Sequence, residues 1–160
     1  MVLGSAALSV YTHAGSSTST MNVSVSVVHS CSMDSSPMAF GAYDGFVANA
    51  STALEATATV VSTCTSGAAA LITMNAGASA GSGSADAPVR RMTAGEEKYL
   101  VYQVYSDVAR GTVWGNTSPT GVALTGTGAS QTLTAYGSVP AAQPAAQGVY
   151  SDQLSVTITY

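Results

Sequence analysis

The chain has 160 residues, four of them Lys or Arg and eight Asp or Glu, for a formal net charge of −4. Charged residues make up 8% of it, against about 25% in an average soluble domain. These figures exclude a basic footprint for nucleic acid and an acidic or basic tail, and no apolar run reaches the ~18 residues of a membrane-spanning helix.

Residues 1–14 read as a signal-peptide remnant whose charged n-region is missing. Val2–Tyr11 has the length of an apolar h-region, and Thr12-His13-Ala14 passes for a small-x-small cleavage site. The alternative is an N-terminal strand, since Leu8, Val10 and Thr12 alternate with Ser9 and Tyr11. Gly15–Thr20 is rich in Ser and Thr. Met21–Val28 then alternates, with Met21, Val23, Val25 and Val27 on one face and Asn22, Ser24 and Ser26 on the other. This period of two predicts a half-buried strand. Ser32–Pro37 reads as a turn, and Asp44-Gly45 as another.

Ala53–Cys64 predicts a long strand with Leu54, Ala56, Ala58 and Val60 on one face, and Ala69–Asn75 predicts the next. Ala76–Pro88 is a loop of Gly, Ser and Ala, and Arg90-Arg91-Met92 precedes a turn at Ala94-Gly95. Tyr99–Asp107 is the strongest strand signal, with Leu100, Tyr102 and Val104 on one face. Short strands are expected at Thr112–Trp114, Gly121–Thr127 and Thr132–Tyr136, then a Pro/Ala/Gln connection from Val139 to Gly148. Val149–Tyr160 reads as a last strand with Leu154, Val156, Ile158 and Tyr160 in register. Seven to nine strands without a convincing helix predict an all-β antiparallel sandwich. Its last strand ends the chain as an open edge, which is a pairing site.

Cys31 and Cys64 are the two cysteines. An even count without a C-x-x-C pair, in a Ser/Thr surface of exported character, predicts one disulfide formed in an oxidising compartment; the alternative is two buried free thiols. Catalytic constellations are missing. His29 has no triad spacing around it. Glu96-Glu97 beside Lys98 reads as a solvated cluster, and Asp107 and Asp152 as turn caps. His29, Met33 and Met38 form at most a weak soft-metal set, because Met commonly packs. Ala76–Gly83 lacks the Lys-Ser/Thr of a phosphate loop. Tyr99, Tyr102, Tyr105 and Trp114 are divided between two faces, which favours core packing over a sugar platform. The expectation is a protein that is not an enzyme and has no cofactor.

Six motifs in order carry a resemblance. They are Cys31 with Phe40-Gly41-Ala42-Tyr43 and Cys64; Arg91-Met92; Leu100–Asp107; Trp114-Gly115; Tyr136-Gly137; and Gly148–Asp152 running into Val156–Tyr160. Together they resemble the spore coat protein U domain, the subunit fold of archaic, Csu-type chaperone–usher pili, from about Met21 to Tyr160. Arg90-Arg91 departs slightly from its usual single basic residue. The resemblance implies an incomplete immunoglobulin-like sandwich completed by a donated strand. It implies a donor segment over residues 15–27, carrying Met21, Val23, Val25 and Val27, that merges into the first strand of a domain over residues 21–160. Leu154, Val156, Ile158 and Tyr160 then form the edge strand of the acceptor groove. The implied partners are identical or related pilus subunits, a periplasmic chaperone and an outer-membrane usher. The implied location is an extracellular fibre of a Gram-negative bacterium, serving attachment and biofilm formation. The alternatives are a self-contained secreted sandwich that binds carbohydrate or another surface ligand, and a spore- or cyst-coat component.

Overall fold

The computed structural model describes Val10 and residues 13–160. Most of the expected signal remnant, residues 1–9, 11 and 12, therefore lies outside the described residues.

Among the described residues there are eight strands and no helix: β1 (Cys31–Ser35), β2 (Leu54–Cys64), β3 (Ala69–Met74), β4 (Arg90–Thr93), β5 (Tyr99–Tyr105), β6 (Val122–Thr125), β7 (Ser130–Val139) and β8 (Val156–Thr159). They form two antiparallel sheets, ordered β1-β2-β7-β5-β4 and β6-β3-β8. The long alternating segments behave as their period predicts. Ala58, Val60 and Cys64 of β2 and Leu100, Tyr102 and Val104 of β5 are buried, while Glu55, Thr57, Tyr99 and Val101 face water. Ile72 and Met74 meet them from the second sheet in one core closed by Trp114. The Trp114 indole Nε1 donates to the Ile72 carbonyl at 2.9 Å, which satisfies its single polar atom inside the core.

Five expectations need correction. Met21–Val28 is not a half-buried strand: residues 13–30 form no strand and are all exposed. The alternation is present, but the domain offers no core to that face. Ser32–Ser35, expected as a turn, belongs to β1, held to β2 by the Cys31↔Cys64 to Ser35↔Val60 register. Arg90–Thr93 is β4, a strand hidden in the sequence by its two arginines. Thr112–Trp114 makes only an isolated bridge, Tyr105↔Val113. The last strand is also shorter than expected, because only Val156–Thr159 pairs with β3.

Cys31 and Cys64 form the disulfide, directly opposite each other in the β1–β2 ladder with Cα atoms 4.1 Å apart. In the chain-entropy estimate a loop of this size restricts the unfolded chain by roughly 3–4 kcal/mol.

The two arginines divide the work. Arg91 lies over the Tyr99 ring, 4.0 Å from its centroid, at the surface. Arg90 is fully buried. Its guanidinium donates to the carbonyls of Asn75 (2.9 Å), Met74 (3.1 Å) and Trp114 (2.6 Å) and to Gln103 Oε1 (2.5 Å). Burial pulls its pKa down to about 10, opposed by nearby Tyr102 and Asp152, so it remains a cation at neutral pH. One fork thus ties the end of β3, the β4–β5 hairpin and the Trp114 segment together.

Candidate strand-accepting groove

Two sheet edges stay open on one flank of the sandwich. β1 pairs only with β2, and β8 pairs only with β3. No ladder joins β1 to β8, so the two sheets part between them. The gap is a groove of about 540 Å³. Ser35–Met38 and Phe40 form one wall, and Tyr150–Leu154 with Val156 the other. Its floor is the side of the buried core that faces the gap, from Ala58, Val60, Met74, Tyr102, Val104 and Ala135.

Phe40 reaches this floor because Gly137 lets it. A Cβ at Gly137 would collide with Met38 Sδ and the Phe40 ring, so the wall lies flat on β7 only over a glycine. The Phe40 ring meets Tyr102 edge-on, with centroids 6.2 Å apart. The Phe40-Gly41 and Tyr136-Gly137 motifs are therefore one packing unit drawn from two distant parts of the chain.

Asp152 fastens the opposite wall. Its Oδ1 accepts from the Ala78 and Ser79 amides at 2.9 and 3.1 Å, and its Oδ2 accepts from the Tyr102 hydroxyl at 2.7 Å. Burial, and then this hydrogen bond, pushes the Tyr102 phenol well above its ordinary pKa and keeps it a donor. Asp152 does cap backbone amides, as expected, but across more than 70 residues of chain.

Leu154, Val156 and Ile158 are half-buried and alternate with exposed Ser155, Thr157 and Thr159. They present one apolar face at the groove's free edge. Tyr160 departs from the expected register: it lies past β8 and is 55% exposed. A second cleft of about 690 Å³ continues the groove past Met38, Phe40, Met92 and Tyr150 toward the 41–46 and 143–149 loops. Sequence reasoning found the β8 residues by periodicity and missed the floor as a unit, whose members come from four strands, β2, β3, β5 and β7.

Met21, Val23, Val25 and Val27 lie outside the sandwich and are between 76% and 89% exposed. The segment is anchored only at its root. The Thr65 amide donates to the Ser30 carbonyl at 2.9 Å, and the Ser30 amide to Thr65 Oγ1 at 3.1 Å. The domain thus has an apolar groove that lacks a strand and a strand-like apolar segment that lacks a groove.

His29 is exposed beside the disulfide, and among the described residues no three His, Cys, Asp or Glu side chains gather as a metal site. Asp107 caps the Gly111 and Thr112 amides, which hold its carboxyl below the usual range. No helix of the described residues is long and apolar enough to cross a membrane.

The model of the spore coat protein U domain matches residues 17–157. The chain belongs to the spore coat protein U domain family. A curated relative, Protein U of Myxococcus xanthus, is 36% identical over 155 residues, covering 92% of this chain and 87% of its own. Among solved structures, the fold is similar to a chain of the CsuC–CsuE chaperone–tip adhesion subunit pre-assembly complex from the archaic chaperone–usher Csu pili of Acinetobacter baumannii. That match has a TM-score of 0.56 at 16% identity and covers 84% of this chain. This chain spans 40% of that chain's length. The spore coat protein U domain seen here is an incomplete immunoglobulin-like sandwich.

Proposed function

We propose that this spore coat U domain protein is a non-enzymatic structural subunit of an adhesive surface fibre, assembled by donated strands and serving attachment and biofilm formation. The observation that carries the reading is the pairing of an unfilled groove, open along β8, with an exposed alternating segment at Met21–Val27. The segment of one copy lies along β8 of another. Main-chain bonds supply affinity, and Met21, Val23, Val25 and Val27 fill pockets over the groove floor. Before assembly the same groove takes a strand from a periplasmic chaperone, which shields the open edge until an outer-membrane usher passes the subunit outward. The pre-assembly complex of the Acinetobacter neighbour and the family membership support that route, and the protein's place is then the outside of a Gram-negative cell.

The test is complementation between two crippled chains. Val23→Asp with Val25→Asp spoils the segment and leaves the groove. Val156→Asp spoils the groove and leaves the segment. Neither is expected to polymerise alone, whereas the parent gives a ladder of detergent-resistant polymers on unheated gels. Mixed, the two should give dimers and nothing longer, because each pair uses up its one good segment and one good groove. Monomers throughout, with the parent chain included, would favour the self-contained binding module.

A further inference from the structure

The two ends of the sandwich differ. At the disulfide end lie the root of the segment, held by Thr65, and the close of β8, where Ile158 packs beside the Cys64, Ala68 and Ala70 cluster. The loops at this end, 65–68 and 126–130, contain no charged residue. The opposite end, where Leu54 faces Val139, carries Phe46, Val47 and Val149, which are 78%, 79% and 90% exposed.

These side chains stand on a built platform. Asp44 Oδ1 accepts from the Phe46 and Val47 amides at 2.9 and 3.1 Å. Asn49, itself buried, accepts from the Asp44 amide and donates to the Thr52 carbonyl. The Ala142 amide donates to the Asn49 carbonyl at 2.9 Å, and the Tyr43 hydroxyl bridges the Pro140 carbonyl and the Gln143 amide at 2.8 Å each. Polar groups are thus spent inside the loops while three apolar side chains point outward, the reverse of an ordinary loop tip.

The topology says what meets them, on the reading that a segment from another copy fills the groove. β8 runs toward the disulfide end. A donated segment parallel to β8 would leave the groove at that end, where the accepting copy's own segment departs, and two neighbours would claim one end. Antiparallel insertion brings the donor's chain out at the opposite end. Its body, reached through Ser30, then sits with its disulfide end over the loops at 44–50 and 141–149. Only this sense lets a chain of copies grow head to tail.

We propose that Phe46, Val47 and Val149 are the body-to-body contact between successive copies in the fibre, docking on the uncharged disulfide end of the next copy. The contact is separate from the strand joint and sets the angle between bodies.

Photo-cross-linking from Phe46→benzoylphenylalanine in assembled fibres tests it. The expected products join position 46 to peptides 65–68 or 126–130, which lie at the other end of the same sandwich and so report a neighbour. In parallel, the triple variant Phe46→Ser, Val47→Ser, Val149→Ser should keep the detergent-resistant ladder but give fibres of shorter persistence length by electron microscopy. Cross-links confined to residues near position 46 in its own copy, or unchanged fibre stiffness in the triple variant, overturn the proposal and leave the patch free to grip a foreign surface. Loss of the ladder in the parent chain is a different result. It removes the strand-donation reading and this contact with it.

Discussion

Deleting residues 15–24 is expected to abolish polymerisation while leaving a foldable domain. The deleted stretch forms no strand and packs on nothing in its own subunit, so its loss removes no core contact. What it removes is the strand offered to another copy. Met21 and Val23 go with the deletion, and Val25 and Val27 are left on a stump too short to span the groove; each such side chain, moved from water into an apolar groove, is worth about 1.5–3 kcal/mol. A ladder along the free edge of β8 adds to this. The deleted form still carries an open edge and an unfilled groove, and should be poorly stable or self-associating. A copy of residues 15–28 fused after Tyr160 through a short turn can run back along β8 in the antiparallel sense. It should raise the melting temperature and yield a monomer. Val23→Asp with Val25→Asp in that fused copy should cancel the gain without touching the rest of the domain. Fibres from the deleted chain, or a stable monomer indifferent to the fused strand, would end the donor-strand account.

The second large effect belongs to Arg90. In the strand-fused form, Arg90→Ala should cost about 3–5 kcal/mol, since each of several buried acceptors left unsatisfied costs about 1–3 kcal/mol. The carbonyls of Met74, Asn75 and Trp114 would lose their shared donor. For a domain of this size that is a fall in melting temperature of about 10 °C or more. Arg90→Lys should recover little, since a single ammonium cannot span acceptors arranged for a planar fork. Arg91→Ala, which loses an exposed stacking contact with Tyr99, should cost about 1 kcal/mol or less. Equal effects at the two positions would show that the buried fork does not organise this corner.

These two arginines also show what the sequence made legible. Their adjacency is visible, but which one is buried depends on where β3 ends and where Trp114 lies, and neither is local. Periodicity exposes β2 and β5 because each has one face on the core and one in water, whereas β7, Ser130–Val139, is longer than its expected Thr132–Tyr136. It missed β1, whose Ser32 and Asp34 disguise a short edge, and β4, whose inward residue is charged. At Met21–Val27 the alternation was read as a half-buried strand. A period of two reports that one face is apolar, and does not say in which molecule that face is covered. The floor of the groove left no signal along the chain, since Ala58, Met74, Tyr102, Val104 and Ala135 converge only through the topology.

The disulfide has a mechanical meaning in a fibre. Pulling force from a neighbour would enter each subunit through residues 28–30 and reach Cys31 next. There the covalent path forks, and the shorter branch passes through the two sulfurs into the end of β2, an 11-residue strand paired with β7 from Leu54 to Thr63 and with β1 from Val60 to Cys64. The loop between the cysteines, which stand 33 positions apart, is shunted out of the line of force. At about 3.3–3.6 Å per extended residue, it would otherwise release roughly 110 Å of slack. Single-fibre pulling should read that length as extra extension per subunit after reduction and alkylation, and not before. Equal extension in both states would mean that the cross-link lies off the path of tension.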